Sequence, residues 1–214
     1  MSVSIIITNH NGAQYLGRAI RSCLKQSLNC EVVVVDDGST DESRELMYSF
    51  GDKITRMFLS ENVGVAEASN QGIKRATGEY IIRVDSDDYI NENTCLFLSQ
   101  ILEWNKGLGF VYADHLRVDE NEKIIERVDM NTLDLLLRHG AGIMMRKSYL
   151  EAIGLYDKKL RNAEDYDLLK RYIKNWDGFH LPIPLYRYRQ HENNMTKDKE
   201  ERKKWENISD ENRK

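Results

Sequence analysis

Proline is nearly absent from this chain of 214 residues: Pro182 and Pro184 are the only two, and both come late. No proline-rich linker therefore divides the chain into separate bodies. Cysteine is scarce as well. Cys23, Cys30 and Cys95 make an odd number without metal-ligand spacing, and Cys23 and Cys95 fall within apolar helical patterns. They read as small core residues of a reducing compartment. Long hydrophobic runs are missing: nothing approaches the roughly 20 apolar residues of a membrane helix. Met1 to Thr8 is too short for a signal-peptide core and has no basic start. Positive charge is not in excess, with 31 Lys and Arg against 35 Asp and Glu and a net charge of −4. That balance argues against a nucleic-acid binder working by bulk electrostatics. No repeat at solenoid spacing is present.

What is present is enough apolar residue for a core, 41%, and a well-charged surface, 31%. The first half alternates strand and helix signals. Val3–Thr8, Glu31–Val35, Ile54–Leu59 and Tyr80–Val84 are short apolar runs that read as strands, the first two buried on both faces. Between them Tyr15, Leu16, Ala19, Ile20, Cys23 and Leu24 recur at helical spacing, a second helix passes through Leu46 and Met47, and a third through Ala66, Ala68 and Ile73. Repeated strand–helix–strand units imply right-handed crossovers and a parallel sheet covered on both faces. The second half is less regular. It reads as a helix from Asn93 to Leu102, a strand at Gly109–Tyr112, a hairpin of His115–Val118 with Lys123–Arg127, and a short helix at Leu133–Leu137. A short strand at Gly142–Met145, a helix at Glu164–Tyr172 and an extended segment from Phe179 to Tyr188, interrupted by its prolines, follow.

Ligands of open α/β sheets bind at the carboxyl ends of the strands. Here those ends carry Thr8-Asn9-His10-Asn11, Asp36-Asp37 and Asp85-Ser86-Asp87-Asp88. Carboxylates this close repel one another, so a cation belongs among them or one holds its proton. Aspartates at a strand end are a common way to offer oxygens to Mg²⁺ or Mn²⁺, which takes its remaining ligands from water and a substrate diphosphate. The alternative is a set of solvated turns that cap the following helices. Three such turns converging on one edge favour a binding site.

Six segments, in order, then resemble glycosyltransferase family 2, inverting enzymes of the GT-A fold, over nearly all of residues 2–196. They are Ser4–Asn11, Val32–Asp41, Asn62-Val63-Gly64 with Asn70-Gln71-Gly72, Asp85-Ser86-Asp87-Asp88, Gly154–Asp157 with Ala163–Asp167, and Tyr186–His191. The resemblance implies a Rossmann-like three-layer α/β fold with a central mixed, mostly parallel sheet. Residues 1–90 would form the nucleotide-binding half, 91–196 the acceptor-binding half, and 197–214 a charged helical tail.

The resemblance also implies roles. Thr8, Asn9, His10, Asn11, Asp36, Asp37, Asn62, Gly64, Asn70, Arg83, Asp85 and Ser86 would bind the nucleotide, with His10 able to stack on the base and Asp37 accepting a hydrogen bond from it. Asp87, Asp85 and His191 would hold Mn²⁺ or Mg²⁺, and Arg187 and Arg189 would neutralise diphosphate charge. Asp165 would be the general base and Glu164 its orienting neighbour. Asp88 reads as a helix cap ahead of a third contact. Gly140-Ala141-Gly142 would let backbone approach a substrate, or is a simple turn. Ser69 stands where the family often has arginine; Arg83 is the candidate replacement.

The expected partners are a nucleotide-sugar donor, with UDP the default, and a glycan or lipid-linked saccharide acceptor such as growing capsule or lipopolysaccharide. Nucleic acid is not expected. The expected location is the cytoplasm. The Arg202-Lys203-Lys204 run with Trp205 is the feature that would bring the chain to the inner face of the membrane, although its interleaved glutamates favour a solvated or dimerising helix. A non-catalytic nucleotide- or metal-binding relative of the fold is the alternative function. A sugar-nucleotide pyrophosphorylase would need a Gly-rich phosphate loop after the first strand, and Thr8-Asn9-His10-Asn11-Gly12 is not one.

Overall fold

The computed structural model describes residues 1–138, 140–192, 194 and 199–212. Strands β1 (Val3–Asn9), β2 (Glu31–Asp36), β3 (Thr55–Phe58) and β4 (Tyr80–Asp85) lie in the order β3-β2-β1-β4, all parallel. Helices α1 (Ala13–Leu24), α2 (Ser43–Ser49) and α3 (Val65–Arg75) make the crossovers. Every residue of β1 is buried, which is why it reads as an unbroken apolar run rather than an alternation. Ile5 and Ile7 pack with Leu16, Ala19, Ile20 and Cys23 of α1 on one face. Ile6, Val33 and Val35 pack with Ala66, Ala68 and Ile73 of α3 on the other. Each fully buried aliphatic side chain contributes roughly 1.5–3 kcal/mol.

The second half extends this sheet. In chain order come β5 (Tyr89–Ile90), α4 (Thr94–Trp104), β6 (Leu108–Val118), β7 (Ile124–Val128), α5 (Leu133–Arg138) and β8 (Met144–Arg146). Then follow α6 (Lys147–Ala152), α7 (Glu164–Tyr172), β9 (Asp177–Arg189) and α8 (Lys199–Asn212). β8 inserts antiparallel between β4 and β6, giving the order β3-β2-β1-β4-β8-β6-β9-β5 with β7 paired to β6. The class is the expected one, a mixed α/β sheet covered by helices.

Three local readings change. The strand expected at Gly109–Tyr112 and the one at His115–Val118 are a single strand, β6. β9 runs through its prolines: Ala113 faces Leu181 and Asp114 faces Pro184. The register shift skips Pro182 and Ile183, which takes Pro182 out of the ladder, while Pro184 stays in it. β5 and α6 are additional elements, too short to show a periodicity in the sequence.

β9 returns beside β5 and carries Tyr186 to Asp88 and, just past its end, His191 to Asp87. α8 packs on α7: Ser209 Oγ donates to Asp167 Oδ1 at 3.0 Å, and Lys170 Nζ lies 2.7 Å from Asp210 Oδ1. The boundary expected between residues 196 and 197 lies outside the described residues.

Candidate active site

The strand ends meet at one edge, as parallel topology requires. On β4, Arg83 turns a buried guanidinium toward three carboxylates: Nε is 3.1 Å from Asp85 Oδ1, Nη1 3.4 Å from Glu164 Oε1 and Nη2 2.7 Å from Asp165 Oδ2. Burial alone would lower the Arg83 pKa, but Asp165 and Asp85 hold it well above the ordinary value. Asp85 is pushed up to about 6 by burial, with Arg83 opposing and Asp87 adding to the rise. Glu164 is pushed up to about 7 by burial and by Asp165, against Arg83. Three acids around one cation leave the cluster short of positive charge.

Glu164 and Asp165 open α7, whose first turn also carries Asp167. Acids are favoured there by the helix dipole. The preceding residue, Ala163, has φ +59°. Asp165 Oδ1 is buried and has no hydrogen-bond partner among the described residues. It lies against Gly140, where a Cβ would land on the Asp165 carboxylate. Gly140 therefore makes room for the expected base, while Gly142 lies against Tyr186.

The turn after β4 separates its aspartates. Asp87 faces His191, whose Nε2 is 2.8 Å from Asp87 Oδ2; the His191 ring is 5.1 Å from that of Tyr15. Asp88 is neither a helix cap nor a third contact. It is buried and accepts from Tyr186 Oη at 2.7 Å and from the Arg189 amide at 2.8 Å. Burial, then Asp87 and Asp85, raise its pKa well above the carboxylate range. α4, the helix such a cap would serve, begins at Thr94 after Asn93.

Behind this cluster opens a cleft of about 700 Å³, within the range of nucleotide-sized sites. Of the residues expected to bind nucleotide, Thr8, Asn9, His10, Asn11, Asp37, Asn62, Gly64, Arg83, Asp85 and Ser86 line it, as do Asp87, Glu164, Asp165 and His191. His10 is fixed by its Nδ1, which donates to the Asp37 carbonyl at 2.8 Å. The Asp37 carboxylate accepts from the Val63 and Gly64 amides at 2.8 and 2.9 Å, so it shapes the cleft wall as well as facing it. A smaller pocket adjoins, lined by Tyr112, His115, Tyr186 and Tyr188 among others. Asp85 and Asp165 border both spaces.

Four expected contacts are not among the cleft-lining residues. Asp36 is fully buried and pairs with Arg44 Nε at 2.7 Å. The Asn70 side chain binds the Tyr156 backbone twice, donating to its carbonyl and accepting from its amide, both at 3.0 Å. Arg187 donates to the Pro184 carbonyl at 2.7 Å. Arg189 is buried and donates from Nε to the Asp87 carbonyl at 2.9 Å and from Nη1 to that of Glu120 at 2.9 Å. It ties the metal-motif turn to the β6–β7 turn. In their place the cleft receives Tyr15, Glu120, Arg161, Glu192, Asn194 and Arg202. These come from α1, loops and α8; no motif spacing signals them.

Two groups could hold a cation. Asp85, Asp87 and His191 offer carboxylate oxygens and an imidazole nitrogen, a donor set suited to Mn²⁺ or Mg²⁺. The upward push on Asp85 from burial and Asp87 is the strain a divalent ion would relieve. Elsewhere Asp114, Asp129 and His180 place one ligand atom each within 4.8 Å of one another. There Asp114 already pairs with Arg127 at 2.5 Å and accepts from the Met130 amide at 3.0 Å. Asp85 has a built-in cation too, in Arg83, so that pairing does not rank the two groups.

Comparison with known proteins gives the fold and the site a family. The chain is 35% identical over 188 residues to an uncharacterized glycosyltransferase of Rickettsia typhi, covering 80% of this chain and 58% of that one. It is 38% identical over 124 residues to the glycosyltransferase GlyG of Streptococcus pneumoniae, covering 56% and 41%. The chain thus spans well under two thirds of the length of these curated relatives. Among solved structures, S. aureus TarS 1–349 in complex with UDP-GlcNAc superposes with a TM-score of 0.79 at 22% identity, over 92% of this chain and 61% of that one. The mannosyltransferase PcManGT from Pyrobaculum calidifontis, in complex with GDP-Man and Mn²⁺, gives 0.72 at 18%, over 89% and 57%. The model of the family described as "Glycosyl transferase family 2" matches residues 4–154, and to that family this chain belongs.

Proposed function

We propose that the chain is a metal-dependent, inverting glycosyltransferase that moves a sugar from a nucleotide-diphosphate sugar, UDP-linked by default, to a hydroxyl of a glycan or lipid-linked saccharide. The observation that carries this reading is the place of Asp165. It borders both the large cleft and the smaller pocket, with Oδ2 held by Arg83 and Oδ1 buried, without a hydrogen-bond partner among the described residues. A donor in the cleft and an acceptor in the pocket would meet at that carboxylate. That carboxylate can then take the proton of the attacking hydroxyl, the work of a general base. Attack from the pocket side, opposite the leaving group, inverts the anomeric centre. Tyr188 and Tyr186 give the pocket aromatic walls on which a sugar ring can rest.

Transfer builds negative charge on the departing diphosphate. A divalent ion held by Asp85, Asp87 and His191 would supply the Lewis acid for that charge. The TarS and PcManGT complexes, with UDP-GlcNAc and with GDP-Man and Mn²⁺, support donors and a metal of this kind. An acceptor in a growing surface glycan, such as capsule or lipopolysaccharide, rests on the family resemblance alone. Among the described residues no helix is long and apolar enough to cross a membrane; we keep the cytoplasm, or its membrane face, as the proposed site of action.

Calorimetric titration of UDP, GDP, dTDP and CDP, with and without Mn²⁺, tests the reading on wild type and Asp87→Ala. Mn²⁺-dependent binding of one nucleotide, lost in the variant, is expected. Binding of none of the four would overturn it in favour of a non-catalytic relative.

A further inference from the structure

Among the charged side chains lining the cleft that is to receive a diphosphate, acids predominate: Asp37, Asp85, Asp87, Glu120, Glu164, Asp165 and Glu192. Few of its cations are available to a ligand. Arg83 is committed to Asp85, Glu164 and Asp165, and Arg202 Nε lies 3.1 Å from Glu206 Oε1. The two arginines that the closing motif offers, Arg187 and Arg189, are not among the lining residues. Arg161 differs from all of these. It lines the cleft, is exposed, and pairs with no carboxylate among the described residues.

Its placement is built rather than incidental. Arg161 lies in the loop between α6 and α7, and the Asn70 side chain pins that loop to α3 through both polar groups of the Tyr156 backbone. Across the cleft the guanidinium rests over Gly64. A Cβ there would come within 3.0 Å of Arg161 Nη1, and Gly64 has φ +92°. A side chain at position 64 would be strained by that φ and would crowd the guanidinium. A planar fork of donors with no acceptor among the described residues, placed at the cleft, suits bidentate recognition of phosphate oxygens.

We infer that Arg161 is the donor-binding cation of this chain, contacting the diphosphate of the nucleotide-sugar from the side of Gly64. It does the work that the sequence pattern assigns to Arg187 and Arg189. The inference rests on the nucleotide-sugar reading above and adds to it the residue that distinguishes a diphosphate from a nucleoside.

The test is calorimetry of UDP and of uridine, with Mn²⁺, on wild type, Arg161→Gln, Arg161→Lys and the remote surface control Arg75→Gln; GDP, dTDP or CDP with its nucleoside replaces the pair if wild type prefers it. Losing a charge-assisted contact should weaken nucleotide binding about 10-fold in Arg161→Gln. Arg161→Lys should fall between, nucleoside affinity should be unchanged, and Arg75→Gln should match wild type. Equal nucleotide affinity in wild type and Arg161→Gln would overturn the inference while leaving the transferase reading intact. An equal loss for nucleoside and nucleotide would also overturn it, since the residue would then be shaping the base site. Failure of wild type to bind any of the four nucleotides would overturn both.

Discussion

Arg83 Nη2 donates to Asp165 Oδ2 at 2.7 Å across 82 residues of chain. The bond joins the end of β4 to the first turn of α7, so the strand that presents the Asp85–Asp87 turn also holds the carboxylate proposed as base. Removing the guanidinium leaves Asp85, Glu164 and Asp165 together in a buried site with no internal cation. Loss of one partner of a buried ion pair costs about 3–5 kcal/mol. Arg83→Gln is therefore expected to lower the melting temperature by roughly 10 °C in a chain of this size. An unchanged melting curve would mean that water, not Arg83, balances these acids.

Gly140 offers a gentler probe of the same carboxylate. Gly140→Ala adds a methyl group where the Asp165 side chain lies, and either the loop or the carboxylate must move. Turnover is expected to slow by about an order of magnitude or more, as misplaced catalytic groups give. Donor KM should stay unchanged, because Gly140 is not among the residues of the donor cleft. Asp165→Asn should slow turnover further, by about 10²–10⁴-fold. Steady-state kinetics with the donor identified by calorimetry reads both. A rise in donor KM with turnover intact would assign Gly140 to binding instead.

The parts of this arrangement that are legible in the sequence are those written in contiguous residues. β1, β2 and β4 announce themselves because burial on both faces demands unbroken apolar runs. Asp85 and Asp87 stand out because close carboxylates need a cation, whereas Glu164 and Asp165 stand out only through the family motif they resemble. Asp36 and Asp37 look alike in sequence, yet one pairs with Arg44 and the other caps the Val63–Gly64 turn. That division depends on which way each side chain leaves the strand end. Arg161 and Arg202 reach the cleft from a loop and from α8, and no spacing announces them. Arg189 misleads for the converse reason: an arginine in a closing motif that resembles the family's looks like a diphosphate contact until the backbone carbonyls it binds are seen.

A different carboxylate governs acid stability. Asp114 is fully buried, yet the Met130 amide, Arg127 and His180 hold its pKa below the usual range against the upward push of burial. A depressed folded-state value means that the charged form contributes stability above the unfolded pKa of about 3.9, and that this stability is lost as pH falls through the folded value. Asp114→Asn should be destabilised by about 3 kcal/mol at pH 7. The gap should begin to narrow below about pH 4, where the unfolded chain takes up the proton, and go on narrowing as pH falls through the lower folded value. Urea unfolding of both proteins at pH 7 and at lower pH measures it. A gap independent of pH would assign the loss to packing rather than charge.

The Asn70–Tyr156 pair makes the last case, because here a residue expected to touch substrate turns out to act on the chain. Asn70 is buried on α3, and its amide satisfies both the carbonyl and the amide of Tyr156. A side chain that closes two backbone bonds 86 residues away is the tie between the nucleotide half and the loop that carries Arg161. Asn70→Ala leaves a buried N–H and a buried C=O without partners, at about 1–3 kcal/mol each. The variant should melt lower, and the Tyr156 amide should lose protection in hydrogen exchange more than amides of β1 do. Nucleotide affinity should fall as well, since an untied loop holds Arg161 over Gly64 only part of the time. Asn70→Asp keeps an acceptor for the Tyr156 amide and loses the donor to its carbonyl, so it should restore protection of the amide more than it restores stability. Were Asn70 instead a direct ligand of the nucleotide, Asn70→Ala would weaken binding with the Tyr156 amide still protected, and that outcome would return the residue to the role its motif implies.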